Sequence, residues 1–255
     1  MPQALKDKTI FITGATSGFG EAFAKRFAKE GARIIATGRR TERLKAMQQS
    51  IGNQLHTIKL DVRDKEAVEN AIQTLPTPFD AVDILINNAG LALGLGRVPD
   101  TKLSDWEQMV DTNIKGVLYC TNALLPQMVK RNSGHIINIG SIAGTYPYPG
   151  GNVYGATKAF IKQFSLNLRA DLLGKNIRVT NIEPGMAETE FSLVRLQGDA
   201  DKANAVYEGV EALTADDIAE TVLFSLAQPA HVNINSIEVM PTQQAFAGFA
   251  VNRNQ

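Results

Sequence analysis

A single cysteine, Cys120, stands among 255 residues. That excludes an intramolecular disulfide and any cysteine-based metal cluster, and a buried spectator thiol is the expected role. Neither sign of charge is in excess, since 26 basic residues face 26 acidic ones. Such a balance offers no attraction to nucleic acid or to an anionic membrane. No apolar run reaches the roughly 18 residues of a membrane span. The first such run, TIFIT at 9–13, ends in a glycine loop and reads as a strand, not a signal peptide. Histidines are few: His56, His135 and His231 lie far apart in sequence. Only a folded cluster would make them ligands, so structural roles and no metal site are expected. Asp64 and Asp100 read as cap or loop acids. The expectation is a cytoplasmic protein whose partner is a small molecule.

What the chain does have is alternation. Short apolar runs near 9–13, 33–37, 55–61, 82–88, 135–141, 177–184 and 234–240 read as strands. Helical stretches near 18–30, 40–51, 64–74, 104–130, 152–173 and 215–227 separate them, the long one bent near Gly116. Gly31 is placed to end the first helix. Strands apolar on both faces and separated by helices imply a parallel sheet covered on both sides. The fold class is therefore α/β: a Rossmann-type, doubly wound, seven-stranded parallel sheet flanked by helices. One domain spans 1–255, with an irregular segment at 185–213 expected to hold substrate. A tail at 241–255 carries Phe246, Phe249 and Val251 without a clear period. It is expected to pack on a neighbouring subunit and help close that subunit's pocket.

The loop TGATSGFG at 13–20 joins the first strand to the first helix. It is neither G-x-G-x-x-G nor a P-loop, but its physics is theirs. Gly14, Gly18 and Gly20 permit a tight turn, and the helix N-terminus offers free N–H groups to a pyrophosphate. The second strand ends in TGRR at 37–40. In a dinucleotide fold this point faces the adenosine ribose. An acid there would bond the 2′-OH of NAD, whereas Arg accommodates the 2′-phosphate of NADP. Here Gly38, Arg39 and Arg40 stand in place of an acid, and a guanidinium grips phosphate bidentately. Asp61 and Val62, after the third strand, are placed to border the adenine.

Tyr154 and Lys158, in NVYGATKAF at 152–160, lie one helical turn apart on one face. A free phenol has a pKa of about 10, and a neighbouring ammonium lowers it toward useful acid–base chemistry.

These motifs together resemble the short-chain dehydrogenase/reductase family. The loop at 13–20 matches T-G-x-x-x-G-x-G. NNAG at 87–90, DTNIKG at 111–116, IGS at 139–141, the Tyr154/Lys158 pair and PG at 184–185 follow in the family's order. The resemblance implies four catalytic residues, Asn113, Ser141, Tyr154 and Lys158. Tyr154 would be the acid/base and Ser141 would polarise the substrate oxygen. Lys158 would also bond the nicotinamide ribose, and Asn113 would hold a water linking Lys158 to solvent. It implies NADP(H) held by Thr13, Gly14, Thr16, Ser17, Gly18, Phe19, Gly20, Arg39, Arg40, Asp61, Val62, Asn88, Ala89, Gly90, Tyr154, Lys158, Pro184, Gly185 and Thr189. ATGRR, GGNVYGATKAF and NIEPGMAETEFSLVR are similar to the NADP-dependent 3-hydroxy acid dehydrogenase group, which includes serine and allo-threonine dehydrogenases. This implies oxidation of a small 3-hydroxy acid or reduction of its 3-oxo acid or semialdehyde. Ser141, Tyr148, Asn152, Tyr154, Met186 and Arg195 would face that substrate, with Arg195 as the anchor for an acidic head group. Sulfoacetaldehyde reduction to isethionate, or general carbonyl reduction, is the alternative within the family. A non-catalytic NADP(H) sensor is the remote one. Members of this group are commonly homotetramers.

Overall fold

Alternation along each strand decides where the helices go. The computed structural model describes residues 5–246. Its seven strands are β1 (Thr9–Ile12), β2 (Arg33–Gly38), β3 (Leu55–Lys59), β4 (Ile84–Asn87), β5 (Gly134–Ile139), β6 (Ile177–Pro184) and β7 (Ser236–Val239). They form one sheet in the order β3-β2-β1-β4-β5-β6-β7, every pair parallel. Successive side chains point to opposite faces. Ile10, Ile12, Ile34, Ala36, Ile84, Ile86 and Ile137 therefore join one core. Phe11, Ile35, Leu85 and Ile136 join the other. This is why the strands read as continuous apolar runs.

The first core is closed by α1 (Gly18–Lys29), α2 (Thr41–Ile51) and α9 (Ala215–Leu226). Phe23 and Phe27 of α1 stack at 5.6 Å and are fully buried. Each stabilises by about 1.5–3 kcal/mol. The second core is closed by α3 (Lys65–Gln73), α5 (Gly116–Arg131) and α6 (Asn152–Asp171). Cys120 lies in this second core with no exposed surface, and burial pushes its thiol up to about 12. Asp64 caps α3 by accepting from the Ala67 amide at 2.9 Å. Gly31 follows α1 with φ +85°, the left-handed conformation that suits glycine. His56 packs on Phe79, and His135 is buried on β5 with Nε2 2.8 Å from the Thr180 hydroxyl.

The long helix expected at 104–130 runs without a break from Leu103 to Arg131, its backbone helical throughout, and changes its hydrogen-bond ladder just before Gly116. α4 (Leu103–Val110) runs into a π turn at Asp111–Lys115 before α5 begins at Gly116. The segment 185–213, expected to be irregular, contains two short helices, α7 (Glu190–Arg195) and α8 (Ala200–Ala205). Its two ends meet where Ala187 bridges Leu213. Among the described residues no helix is long and apolar enough to cross a membrane. Phe249 and Val251 of the tail lie outside the described residues.

Candidate active site

The strand order reverses between β1 and β4, and the crevice beyond their carboxyl ends is the place where such sheets bind ligands. Thr13, just past β1, stitches this point together. Its hydroxyl accepts from the amides of Asn88 and Ala89, both at 2.9 Å, and donates to the Ile86 carbonyl. Asn88 returns the contact by donating Nδ2 to the carbonyls of Thr13 and Gly14. Gly14 has φ +65°, and a Cβ there would stand 2.9 Å from Ala89 Cα. At Gly20 a Cβ would stand 2.4 Å from the Gly14 carbonyl oxygen. The glycines thus allow backbone to approach backbone, leaving a shallow cradle at the start of α1.

A cavity of about 630 Å³ opens from this cradle. Thr16, Ser17, Gly18 and Phe19 line one end with Arg39, Arg40, Asp61 and Val62. Asn88, Ala89 and Gly90 form its floor. Ser141, Tyr148, Tyr154 and Lys158 line the other end with Pro184, Gly185, Met186, Thr189 and Arg195. Four expected site residues do not line it. Thr13 and Gly20 sit behind the cradle and shape it. Asn113 is buried, and its amide is spent on the backbone of Leu91 and on the Thr157 hydroxyl. Its side chain therefore fixes the wall. Asn152 faces a separate recess, where Nδ2 donates to the Gly96 carbonyl at 3.2 Å.

Arg40 is held in place. Its Nε donates to the Thr16 hydroxyl at 3.1 Å and its Nη2 to the Thr16 carbonyl at 3.0 Å. Its Nη1 meets Glu190 at 2.8 Å, and Arg43 meets the same carboxylate at 2.7 Å. These two guanidiniums hold Glu190 below the usual carboxylate range, Arg40 contributing most. Arg39 is exposed at the cavity mouth. Asp61 is committed to Arg63 at 2.6 Å, which lowers its pKa.

At the other end Tyr154 is 8% exposed, and burial pushes its phenol up to about 12. A hydrogen bond with Ser141 and the charge of Arg195 work against that rise. Lys158 stands with Nζ 5.8 Å from the Tyr154 ring centroid and donates to the Ile139 carbonyl at 2.8 Å. Burial lowers its own pKa to about 8. Desolvation thus holds the phenol above its ordinary value, where a lowering by its helical neighbour was expected. Phe191 packs 5.6 Å from the Tyr154 ring and walls it from water.

A family model described as short chain dehydrogenase matches residues 8–198. The chain belongs to the short chain dehydrogenase family. Within it, the chain is 55% identical over 246 residues to the NADP-dependent 3-hydroxy acid dehydrogenase YdfG of Salmonella typhi, covering 96% of this chain and 99% of that one. It is 56% identical over 245 residues to the serine 3-dehydrogenase of Agrobacterium fabrum, covering 96% and 98%. Among solved structures, the closed form of a serine dehydrogenase complexed with NADP+ superposes with a TM-score of 0.96 at 53% identity, covering 96% of this chain and all of that one. Serine dehydrogenase from Escherichia coli follows at 0.83 and 49%, covering 93% of this chain.

Sequence reasoning on this short chain dehydrogenase missed Arg43, Glu190, Phe191, Tyr207 and Gln244. Arg43 had a signal: it lies three residues after Arg40 at the start of α2, on the same face. Glu190, Phe191, Tyr207 and Gln244 had none, because nothing local says which way an irregular segment folds back.

Proposed function

We propose that the protein is an NADP(H)-dependent oxidoreductase that interconverts a small 3-hydroxy acid and its 3-oxo acid or semialdehyde. One observation carries this reading. A phenol, a hydroxyl and an ammonium converge at one end of a cavity whose other end is a glycine cradle beside two arginines. The fit to a dinucleotide rests on that cradle, on the start of α1, and on Arg39 and Arg40 where an NAD-binding acid would stand. When bound, the nicotinamide supplies or accepts the hydride. The chain's own part is the proton. Ser141 donates a hydrogen bond to the substrate oxygen. Tyr154 gives that oxygen its proton in reduction and takes it back in oxidation. Lys158 supplies positive charge near the phenol and would bond the nicotinamide ribose. Asn113 holds the 91 loop against α6 through its side-chain amide, and its expected part as holder of a water linking Lys158 to solvent belongs to this same proposal.

Arg195 selects for acid. Its Nε and Nη2 donate to Gly94, Tyr148 and Gly150, and the guanidinium remains in the cavity beside Tyr154. A 3-hydroxy acid carries its carboxylate two bonds from the carbinol carbon, and this suits a guanidinium beside the phenol. The segment 185–213 closes over the substrate, a reading supported by the likeness to a closed serine dehydrogenase. We also propose a homotetramer, because among the described residues β7 ends the sheet and Phe224 of α9 is 58% exposed. Light scattering tests that part.

The deciding experiment is a kinetic panel with NADP⁺ on L-serine, L-allo-threonine, 3-hydroxypropionate, 3-hydroxyisobutyrate and isethionate. The expected result is the highest kcat/KM on a hydroxy carboxylate, with little activity on NAD⁺. Preference for isethionate would move the reading to sulfoacetaldehyde reduction. No turnover of any member, with NADPH still bound, would leave a sensor.

A further inference from the structure

We propose that Arg195 is a positioning residue for the proton step: a second cation for Tyr154, delivered by α7, so that forming phenolate depends on closure of this segment. The proposal rests on the reading of Tyr154 as acid/base, and goes beyond Arg195 as a substrate anchor. The geometry points to it. Two cations flank the Tyr154 ring at nearly equal distance. Lys158 Nζ stands 5.8 Å from the centroid on the phenol's own helix, and Arg195 Cζ stands 5.6 Å away on α7. Lys158 is placed whenever α6 is folded. Arg195 is placed only when α7 lies down.

Its place is over-determined. The Arg195 guanidinium also stacks 5.4 Å from Tyr148, bonds the Tyr148 hydroxyl at 2.8 Å, and donates to the Gly94 carbonyl at 3.1 Å. Its own backbone carbonyl accepts from the Gly94 amide at 2.9 Å. Five residues away, the other end of α7 is tied down by Glu190 on Arg40 and Arg43. The short helix therefore spans from the arginines of the nucleotide end to the phenol. The groups facing Tyr154 are Lys158 from α6, Arg195 from α7, Ser141 from the end of β5 and Tyr148 from the preceding loop. Burial opposes ionisation of this phenol, so a cation at this distance has leverage that it would lack in water. The Ser141 hydrogen bond, and after it the charge of Arg195, work against that burial.

The test compares Arg195→Gln with Arg195→Lys. The first removes the charge and the second restores it. The readout is the pH profile of kcat for oxidation, measured with a hydroxy acid and with a neutral alcohol that has no group for Arg195 to anchor. The expected result is that Arg195→Gln moves the rising limb up by about one pH unit or more with both substrates. That is about a tenfold loss of kcat below the limb, and Arg195→Lys recovers most of it. An unmoved limb, with only KM for the acid raised, would overturn the proposal and leave Arg195 as an anchor alone. If the wild type turns over neither substrate, the functional reading fails and the proposal is still decided. Carbon-13 NMR of ring-labelled tyrosine follows Tyr154 directly, its signal assigned by loss in Tyr154→Phe. Onset of titration at the same pH in wild type and Arg195→Gln would sink it.

Discussion

The two ends of the cavity are built differently. At the nucleotide end, the Thr13 hydroxyl and the Asn88 amide bond the facing backbone of β1 and β4, and Gly14 and Gly20 let backbone approach backbone at the start of α1. At the substrate end, the segment 185–213 is held by a few side chains that reach across from elsewhere. Gln244 accepts from the Met186 amide at 2.8 Å, Gln243 accepts from the Glu211 amide at 2.6 Å, and Glu190 meets Arg40 and Arg43. The first end is rigid because its own sequence leaves it no other shape. The second is held by contacts which can break. A cavity with one fixed and one fastened wall can hold a common cofactor and admit a variable substrate.

The sharpest test of this contrast lies where the ends meet. Tyr154→Phe keeps the ring packed on Phe191 but removes the proton donor. Turnover should fall by about 10²–10⁴-fold, the usual worth of general acid–base catalysis, while NADPH binding measured by fluorescence survives. Near wild-type kcat would mean that the proton comes from another group.

Lys158 joins the fixed wall at a cost in stability. Its folded pKa of about 8 lies below its ordinary value of 10.5. Between those two values the unfolded chain binds more protons, so stability rises with pH across that window and is lowest below it. Lys158→Met should abolish turnover as fully as loss of the tyrosine and weaken cofactor binding. It should also flatten the pH slope and stabilise the unliganded protein at neutral pH. The shift is worth about 3 kcal/mol, less about 1 kcal/mol for the hydrogen bond lost to Ile139. Thermal melts across pH 7–11 check it. A less stable variant with an unchanged slope would show that the ammonium is not strained by burial.

The same contrast explains what the sequence made legible. The seven parallel strands, the glycine cradle and the Tyr154 and Lys158 pair follow from periodicity and spacing within single elements, whereas Ser141, on another element, was legible only through the family resemblance. The π turn at Asp111–Lys115 was visible only as a bend near Gly116, because a one-residue shift of the hydrogen-bond ladder leaves no compositional mark. Asn152 shares a helix with Tyr154 but faces the neighbouring recess. Its place at the start of α6 gave no sign of which side the chain enters from. Glu190 and Gln244 find their partners across 150 and 58 residues of sequence, and no local pattern encodes a pairing of that range.

At the nucleotide end, Arg39→Ala with Arg40→Ala should raise KM for NADPH by about tenfold or more and leave KM for NADH little changed. A charge-assisted contact to phosphate is worth about 1.5–3 kcal/mol. Arg40 also steadies Thr16 and Glu190, so the double variant should loosen α7 as well. Comparison with Glu190→Gln separates the two effects, since that change leaves both guanidiniums in place. A wild type that prefers NADH would overturn the reading of the loop after β2.

The smallest effect belongs to the fastening after β7. The tail was expected to close a neighbouring subunit's pocket. Most of it lies outside the described residues; in the described part, Gln243 and Gln244 hold the two ends of the 185–213 segment of their own chain, and Phe246 lies 4.6 Å from the Tyr146 ring at the cavity mouth. Gln244→Ala removes one hydrogen bond to a backbone amide at the foot of the segment, worth about 1 kcal/mol. KM for the hydroxy acid should rise by about fivefold, with KM for NADPH unchanged, because the nucleotide wall does not depend on this contact. Adding Gln243→Ala should deepen the effect, as both feet are then free. Deleting 245–255 leaves both glutamines in place and so isolates Phe246 and the residues beyond it. If that deletion raises substrate KM further than the glutamine changes and dissociates the oligomer on sizing chromatography, closure also draws on a second copy. If Gln244→Ala shifts both KM values together, the two walls are mechanically one, and the division between a fixed and a fastened end fails.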